Sequence, residues 1–87
     1  MRLTNSESEF IGKSKQVQSN CLAISFFRPL GSNPVTVLGI PIPAGGILEI
    51  AQPDGCIDTS LYDVVFGAGA GANECYAIRI KDTGIGV

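Results

Sequence analysis

Three cysteines, three loop carboxylates and one glycine-rich loop are the residues of this chain that could do chemistry. Cys21, Cys56 and Cys75 form an odd set with no CxxC spacing. A reactive thiolate needs a nearby cation or imidazole to lower its pKa. The chain has no histidine, and Cys56 stands near Asp58 with no basic residue close in sequence. The usual general base and triad partner is therefore missing. Secreted disulfide frameworks use even sets, so reduced thiols are expected, with Cys21 and Cys75 acting as small hydrophobes inside strands. A link from Cys56 to either strand stays open, because spacing alone supplies no Cα distances.

Asp54, Asp58 and Asp63 have the oxygen donors that suit a hard cation. Their spacing matches no EF-hand loop, and strand alternation separates Asp63 from the other two. Asp54 and Asp58 are expected to cap turns, with a weak cation site at that pair as the alternative. The loop Gly67-Ala68-Gly69-Ala70-Gly71-Ala72 offers backbone amides that could cradle an anion. It lacks a following Lys-Ser/Thr, and a strand-like run follows it where a phosphate loop requires a helix N-terminus. It is expected to be a mobile connection at a distal tip. Paired carboxylates for glycoside chemistry would need a cleft that so small a domain does not offer. No catalytic residue, metal or cofactor is expected, and the chain is not expected to be an enzyme.

The elements that carry these residues follow from five short apolar runs: Cys21–Phe27, Val35–Ile42, Ile47–Ala51, Leu61–Phe66 and Cys75–Ile80. Gly- and Pro-rich turns cut them apart, and nothing between them looks helical. Alternation places Leu22, Ile24 and Phe26 on one face, with Cys21, Ala23, Ser25 and Phe27 on the other. Pro41 and Pro43 remove alternate backbone donors, which confines their stretch to a sheet edge or a bulged exit. Ala44-Gly45-Gly46 suggests the turn of a hairpin spanning residues 35–51. Gln52-Pro53-Asp54-Gly55 is a further turn signal. In the last run Tyr76, Ile78 and Ile80 are expected inward, with Arg79 and Lys81 outward as rim charges. The tail Asp82–Val87 is glycine-broken, a candidate final edge strand. Core candidates are Leu22, Ile24, Phe26, Val37, Ile50, Tyr62, Val64, Phe66, Ile78 and Ile80.

Residues 1–19 differ in composition. Ser, Glu, Lys, Gln and Asn dominate, and Leu3, Phe10, Ile11 and Val17 are the apolar points. Such a segment alone buries too little to offset its ordering entropy and is expected to be a mobile arm. Phe10-Ile11 suggests a peg that docks on this domain or on a neighbour, with Lys13 and Lys15 as a basic tip. The polar start has no apolar core segment, so no signal peptide is expected. No stretch approaches the ~20 apolar residues of a membrane span.

The 87 residues make one small domain. A chain this short buries about 60–65% of its unfolded surface, which leaves its own core marginal. It is 45% hydrophobic and 16% charged, where about 25% charged is usual. Too few charges remain to solvate the whole surface, so part of it is expected to lie against another protein. A net charge of −2 gives no electrostatic footprint for DNA or RNA, and no nucleic-acid partner is expected.

The stretches Phe26-Phe27-Arg28-Pro29-Leu30-Gly31, Val35-Thr36-Val37-Leu38-Gly39-Ile40-Pro41-Ile42-Pro43-Ala44-Gly45-Gly46 and Ile57-Asp58-Thr59-Ser60-Leu61-Tyr62-Asp63-Val64-Val65-Phe66 resemble those of small virion-associated proteins of bacteriophages, especially phages of Bacteroidetes-type hosts. The likeness covers about residues 21–81. It implies a non-enzymatic virion component: a capsid decoration or auxiliary protein, or a vertex or connector piece, made in the host cytoplasm.

Together these readings give an all-β chain, a small antiparallel β-sandwich or barrel of about six strands with an extended N-terminal arm. Residues 1–19 form the arm and 20–87 the domain. Partners are expected to be further copies of the chain, the major capsid protein or other virion proteins, with no membrane. Phe10, Ile11, Lys13, Lys15, Arg28, Pro41 and Pro43 are the candidate contact residues. The rival reading is a small cellular β-sandwich binding module for adhesion or carbohydrate, which would need exposed aromatics on one face.

Overall fold

The computed structural model describes residues 2–53 and 56–85, and these are all-β. The strands are β1 (Arg2–Ile11), β2 (Lys15–Gln18), β3 (Ala23–Phe27), β4 (Val35–Val37), β5 (Ile40–Pro41), β6 (Ile47–Ala51), β7 (Leu61–Phe66) and β8 (Cys75–Ile85). They form two antiparallel four-stranded sheets, the first ordered β1-β8-β3-β6 and the second β2-β7-β4-β5. The result is an open sandwich and not a barrel, with eight strands against the six expected. Asp54 and Gly55, on which the turn and part of the cation alternative fall, lie outside the described residues, as do Gly86 and Val87.

The pairing has a simple logic. β1 pairs β8, β2 pairs β7, β3 pairs β6, and β4 pairs β5. The chain is one long two-stranded ribbon, doubled back at Leu38-Gly39 and then rolled so that β3 meets β8 and β4 meets β7. This is jelly-roll connectivity. Where the ribbon passes from one sheet to the other it stays paired: Cys21 bridges Asp58, and Ser19 N donates to Ser60 O at 3.1 Å. Asn20 turns that corner with φ of 47°, a conformation Asn tolerates better than most non-glycine residues.

Three local expectations are corrected. Residues 35–51 are not one hairpin. β5 turns back on β4 at Leu38-Gly39, both with positive φ (52° and 77°), the backbone that tight hairpin turns require. Ala44-Gly45-Gly46 instead carries the chain across to the first sheet, where β6 joins β3. The Gly67–Ala72 loop is not a free tip. Asn33 Oδ1 accepts from Gly71 N at 2.9 Å, and Asn33 N donates to Ala72 O at 2.9 Å. A Cβ at Gly71 would collide with the Gly31 carbonyl, so the two loops meet too closely for any larger residue.

The third correction concerns residues 1–19. The segment is extended, as expected, but its described part is built into both sheets and is not free. Ile11 and Val17 are buried among the core residues, and Ser19 Oγ donates to Asp58 O and Ser60 O, both at 2.8 Å. A polar strand can be ordered because its backbone groups pair with β8 and β7, whatever its side chains prefer. Tail residues 82–85 lengthen β8, pairing with β1 from Thr4↔Asp82 to Arg2↔Ile85. This end of the ribbon runs past β3, which reaches only Ile80. The molecule is accordingly elongated, 51 × 19 × 17 Å.

The core lies between the sheets: Ile11, Ile24, Phe26, Cys75 and Ala77 face Val17, Val35, Val37, Tyr62 and Val64, with Leu48, Ile50 and Phe66 packed against them. Phe26 and Tyr62 meet edge-on across the two layers, centroids 5.8 Å apart. Pro41 sits in β5, the outer strand of the second sheet, in keeping with its missing donor. On β8 the expected faces are reversed. Cys75, Ala77 and Arg79 point inward, and Tyr76 and Ile78 outward. β8 is central, opposite bulky Phe26 and Ile24 of β3, so its small residues fit the filled interior and its large ones do not.

Candidate functional site

In an antiparallel pair, residues directly opposite share a face. The registers therefore align Phe10, Tyr76, Phe27 and Ile47 in one row across the outer face of the first sheet. The next row is Ser8, Ile78, Ser25 and Glu49, and the third is Ser6, Ile80, Ala23 and Ala51. Phe10 is 54% exposed, Ile47 63%, Ile78 43% and Tyr76 38%. Phe10 leans on Tyr76 with centroids 5.3 Å apart at 58°, and Phe27 lies 6.5 Å from Tyr76 at 31°. Scattered exposed hydrophobics are normal on a protein surface, but Phe10, Tyr76, Phe27 and Ile47 form a contiguous apolar row across all four strands, with the carboxylate of Glu49 in the next row.

The opposite face of the same ribbon holds the charges. Arg79, buried, donates from Nη2 to Glu9 Oε1 at 2.8 Å and from Nε to Gln18 O at 3.0 Å. Glu7 stands 3.8 Å from Arg79 and 3.3 Å from Lys81, and Lys15 pairs with Glu9 at 2.5 Å. The hydrogen bonds from Lys15 and Arg79 hold the Glu9 carboxyl below its ordinary range, against the opposing pull of burial. This ladder closes the gap between β1 and β2, and Glu49 is the one charged residue on the three outer rows.

Asp58 is a structural polar centre. Its carboxylate accepts from Tyr62 OH, from Ser60 N at 2.8 Å and from Gln52 Nε2 at 3.3 Å. Burial alone would raise its pKa, but the donors from Tyr62, Ser60 and Ser19 outweigh it and hold the group at about 2. Tyr62 is pushed up to about 12, first by burial and then by Asp58. Asp58 thus caps the turn before β7, as expected, while Asp63 is exposed on the far side of β7. Among the described residues no cluster of three or more His, Cys, Asp and Glu side chains could hold a metal. All three cysteines are free; Cys21 and Cys75 are buried and Cys56 is exposed. Burial pushes the Cys75 thiol up to about 11 and raises Cys21 as well.

The candidate contact residues separate accordingly. Phe10 belongs to the outer row, whereas Ile11, its neighbour, points into the chain's own core. Lys13 is exposed on the β1–β2 turn, and Lys15 is tied to Glu9. Arg28 is turned to its own chain: it donates to the carbonyls of Ile42 at 3.0 Å and Ser32 at 3.1 Å, which pins the loops on either side of β4 and β5. Pro41 and Pro43 are exposed on the β5 side of the other sheet. Tyr76, Phe27, Ile47 and Ile78 were not foreseen as surface residues. A legible signal was present: two carboxylates two apart, Glu7 and Glu9, match two cations two apart, Arg79 and Lys81. That match places the charged sides of β1 and β8 together and sends Phe10, Tyr76 and Ile78 to the other face. No family model, no curated protein and no solved structure matches the chain.

Proposed function

We propose that the chain is a non-enzymatic structural component of a bacteriophage particle, a decoration, auxiliary, vertex or connector subunit that works by protein–protein assembly. The observation that carries the proposal is the row Phe10–Tyr76–Phe27–Ile47, an apolar strip across all four strands of one sheet. Its support is fourfold. The charge share is too low for a fully solvated surface. Glu7, Glu9, Arg79 and Lys81 are gathered on the face away from that strip. Jelly rolls are common among viral capsid domains, which favours the reading by analogy of fold alone. The likeness of residues 21–81 to small virion proteins points the same way.

Cross-linking mass spectrometry on particles purified from cultures that produce the chain tests the proposal. The expected result is the chain present in the particles, with cross-links from Lys13, beside the strip, to a virion protein or to another copy. Purified particles that lack the chain would overturn it. A carbohydrate-binding role has one observation in its favour, three neighbouring aromatic rings on one face of a jelly roll. Their tilts of 58° and 31° do not make the flat platform on which a sugar ring stacks. Saturable binding of a glycan by the isolated monomer, abolished by Tyr76→Ala, would favour that role instead.

A further inference from the structure

The outer face of the first sheet carries a size pattern as well as an apolar one. Its two central strands are β8 and β3. On that face β8 presents Tyr76, Ile78 and Ile80, and β3 presents Phe27, Ser25 and Ala23 in the same three rows. One central column is therefore a ridge, and the column beside it is a groove that deepens from Phe27 to Ala23. The outer strands also differ. β1 contributes Phe10, Ser8 and Ser6, and β6 contributes Ile47, Glu49 and Ala51.

We infer that this face pairs with the same face of a second copy, about a twofold axis parallel to the strands and between β8 and β3. This inference rests on the assembly reading and names the partner of that face. A twofold interface is self-complementary: residue i meets j, and j meets i. Rotation about this axis lays β8 of one copy over β3 of the other. Ile78 then faces the partner copy's Ser25, and Ile80 faces its Ala23, so each ridge enters a groove. Tyr76 faces Phe27, and Phe10 faces Ile47. The one carboxylate on these three rows, Glu49, comes to lie over Ser8, a hydroxyl donor. The other in-plane axis, perpendicular to the strands, would set ridge on ridge and place Glu49 against its own copy. Like charges face to face disfavour that arrangement.

The area is sufficient. At about 200 Å² for a large side chain, the exposures of Phe10, Tyr76, Ile47 and Ile78 leave roughly 400 Å² on those four residues. The flanking small and polar residues bring the face to roughly 600 Å² per copy, or about 1,200 Å² in the pair, the lower end of stable interfaces. Sheets packed in this way lie about 10 Å apart with strands aligned to within about 30°.

Sedimentation velocity of the purified chain from about 1 μM to about 1 mM tests the pairing, with Ser8 as the diagnostic position. Ser8 and Glu49 lie at opposite edges of one sheet, three strands apart, too far for direct contact at about 4.8 Å per strand. Ser8→Lys is expected to tighten the dimer about 5- to 10-fold, and Ser8→Glu to weaken it by a similar factor. The double variant Ser8→Glu, Glu49→Lys should restore it. Thermal unfolding of each variant checks that the fold is kept. A chain that stays monomeric at 1 mM overturns the inference, as does a dimer indifferent to the charge at residue 8. A monomer that nonetheless cross-links through Lys13 to another virion protein leaves the assembly reading standing and removes only the twofold. A dimer absent from particles does the reverse.

Discussion

At the residue scale the sharpest consequence comes from Asp58. Its carboxyl titrates near 2 in the folded chain, against an ordinary value of about 3.9 in the unfolded one. A lowered carboxyl pKa means the folded state binds the proton less readily. Its contribution is therefore present above pH 4 and is lost as pH falls through 2. The difference corresponds to about 2–3 kcal/mol at neutral pH. Glu9, lowered by Lys15 and Arg79, acts in the same direction. The buried thiols and Tyr62 set the alkaline limit with the opposite sign: Cys75 is raised to about 11, so stability present below pH 9 is lost as pH rises towards 11. Urea unfolding across pH should give a plateau between about pH 4 and 9. Asp58→Asn should lower the plateau by about 2 kcal/mol and flatten most of the acid limb, since the amide cannot titrate. An acid limb unchanged in the variant would show that Asp58 is not the group responsible.

At the scale of elements, β1 and β8 decide what the sequence discloses and what it conceals. The all-β class, the edge position of Pro41 and the inward set Ile24, Phe26, Tyr62 and Val64 follow from alternation and turn chemistry, which leave sandwich and barrel both open. The faces of β8 do not, because both its columns are apolar enough to be a core. What selects the inner column is volume beside Phe26 and the reach of Arg79 to Glu9 and Gln18 O, and both depend on strands more than fifty residues away. The order of β1 is hidden for a related reason: its stabilisation comes from the backbone ladder with β8 and not from its own composition. The apolar outer face is concealed with them, since Phe10 stands out as an apolar point in a polar segment and Phe27 falls opposite the core set, but Tyr76 and Ile78 are expected inward. A pair of substitutions separates the two assignments. Arg79→Met leaves the Gln18 carbonyl without its donor and Glu9 with Lys15 alone, and should cost about 2 kcal/mol. Ile78→Ser, measured at a concentration where the chain is monomeric, should cost less than about 1 kcal/mol because the side chain is outside the core and 43% exposed. The reverse order of costs in chemical denaturation would restore the inward reading of Ile78.

At the scale of the whole molecule, the rolled ribbon dictates how the chain folds. Each pairing lies farther along the sequence than the one inside it, from Val37↔Ile40 to Arg2↔Ile85. Closing the outer rungs first would mean ordering a loop of about seventy residues for its first contacts, whereas the β4–β5 turn closes almost locally. Folding should therefore start at Leu38-Gly39 and finish at β1–β8, on the millisecond-to-second scale of non-local β topologies. Leu38 is an impediment at that starting point. It holds φ of 52° with a bulky side chain that is 52% exposed, a conformation that costs non-glycine residues roughly 1–2 kcal/mol. Asn-Gly is the preferred pair for such a turn, so Leu38→Asn should add about 1 kcal/mol. Because the turn is formed in the transition state, that gain should appear as folding about five-fold faster with unfolding nearly unchanged. Ile11→Val, in the last strand pair to close, should cost about 1 kcal/mol and appear almost wholly as faster unfolding. Stopped-flow chevrons of the two variants check both. If Leu38→Asn slowed unfolding and Ile11→Val slowed folding, the chain would assemble from its termini inward, and β1–β8 would be the nucleus of the roll.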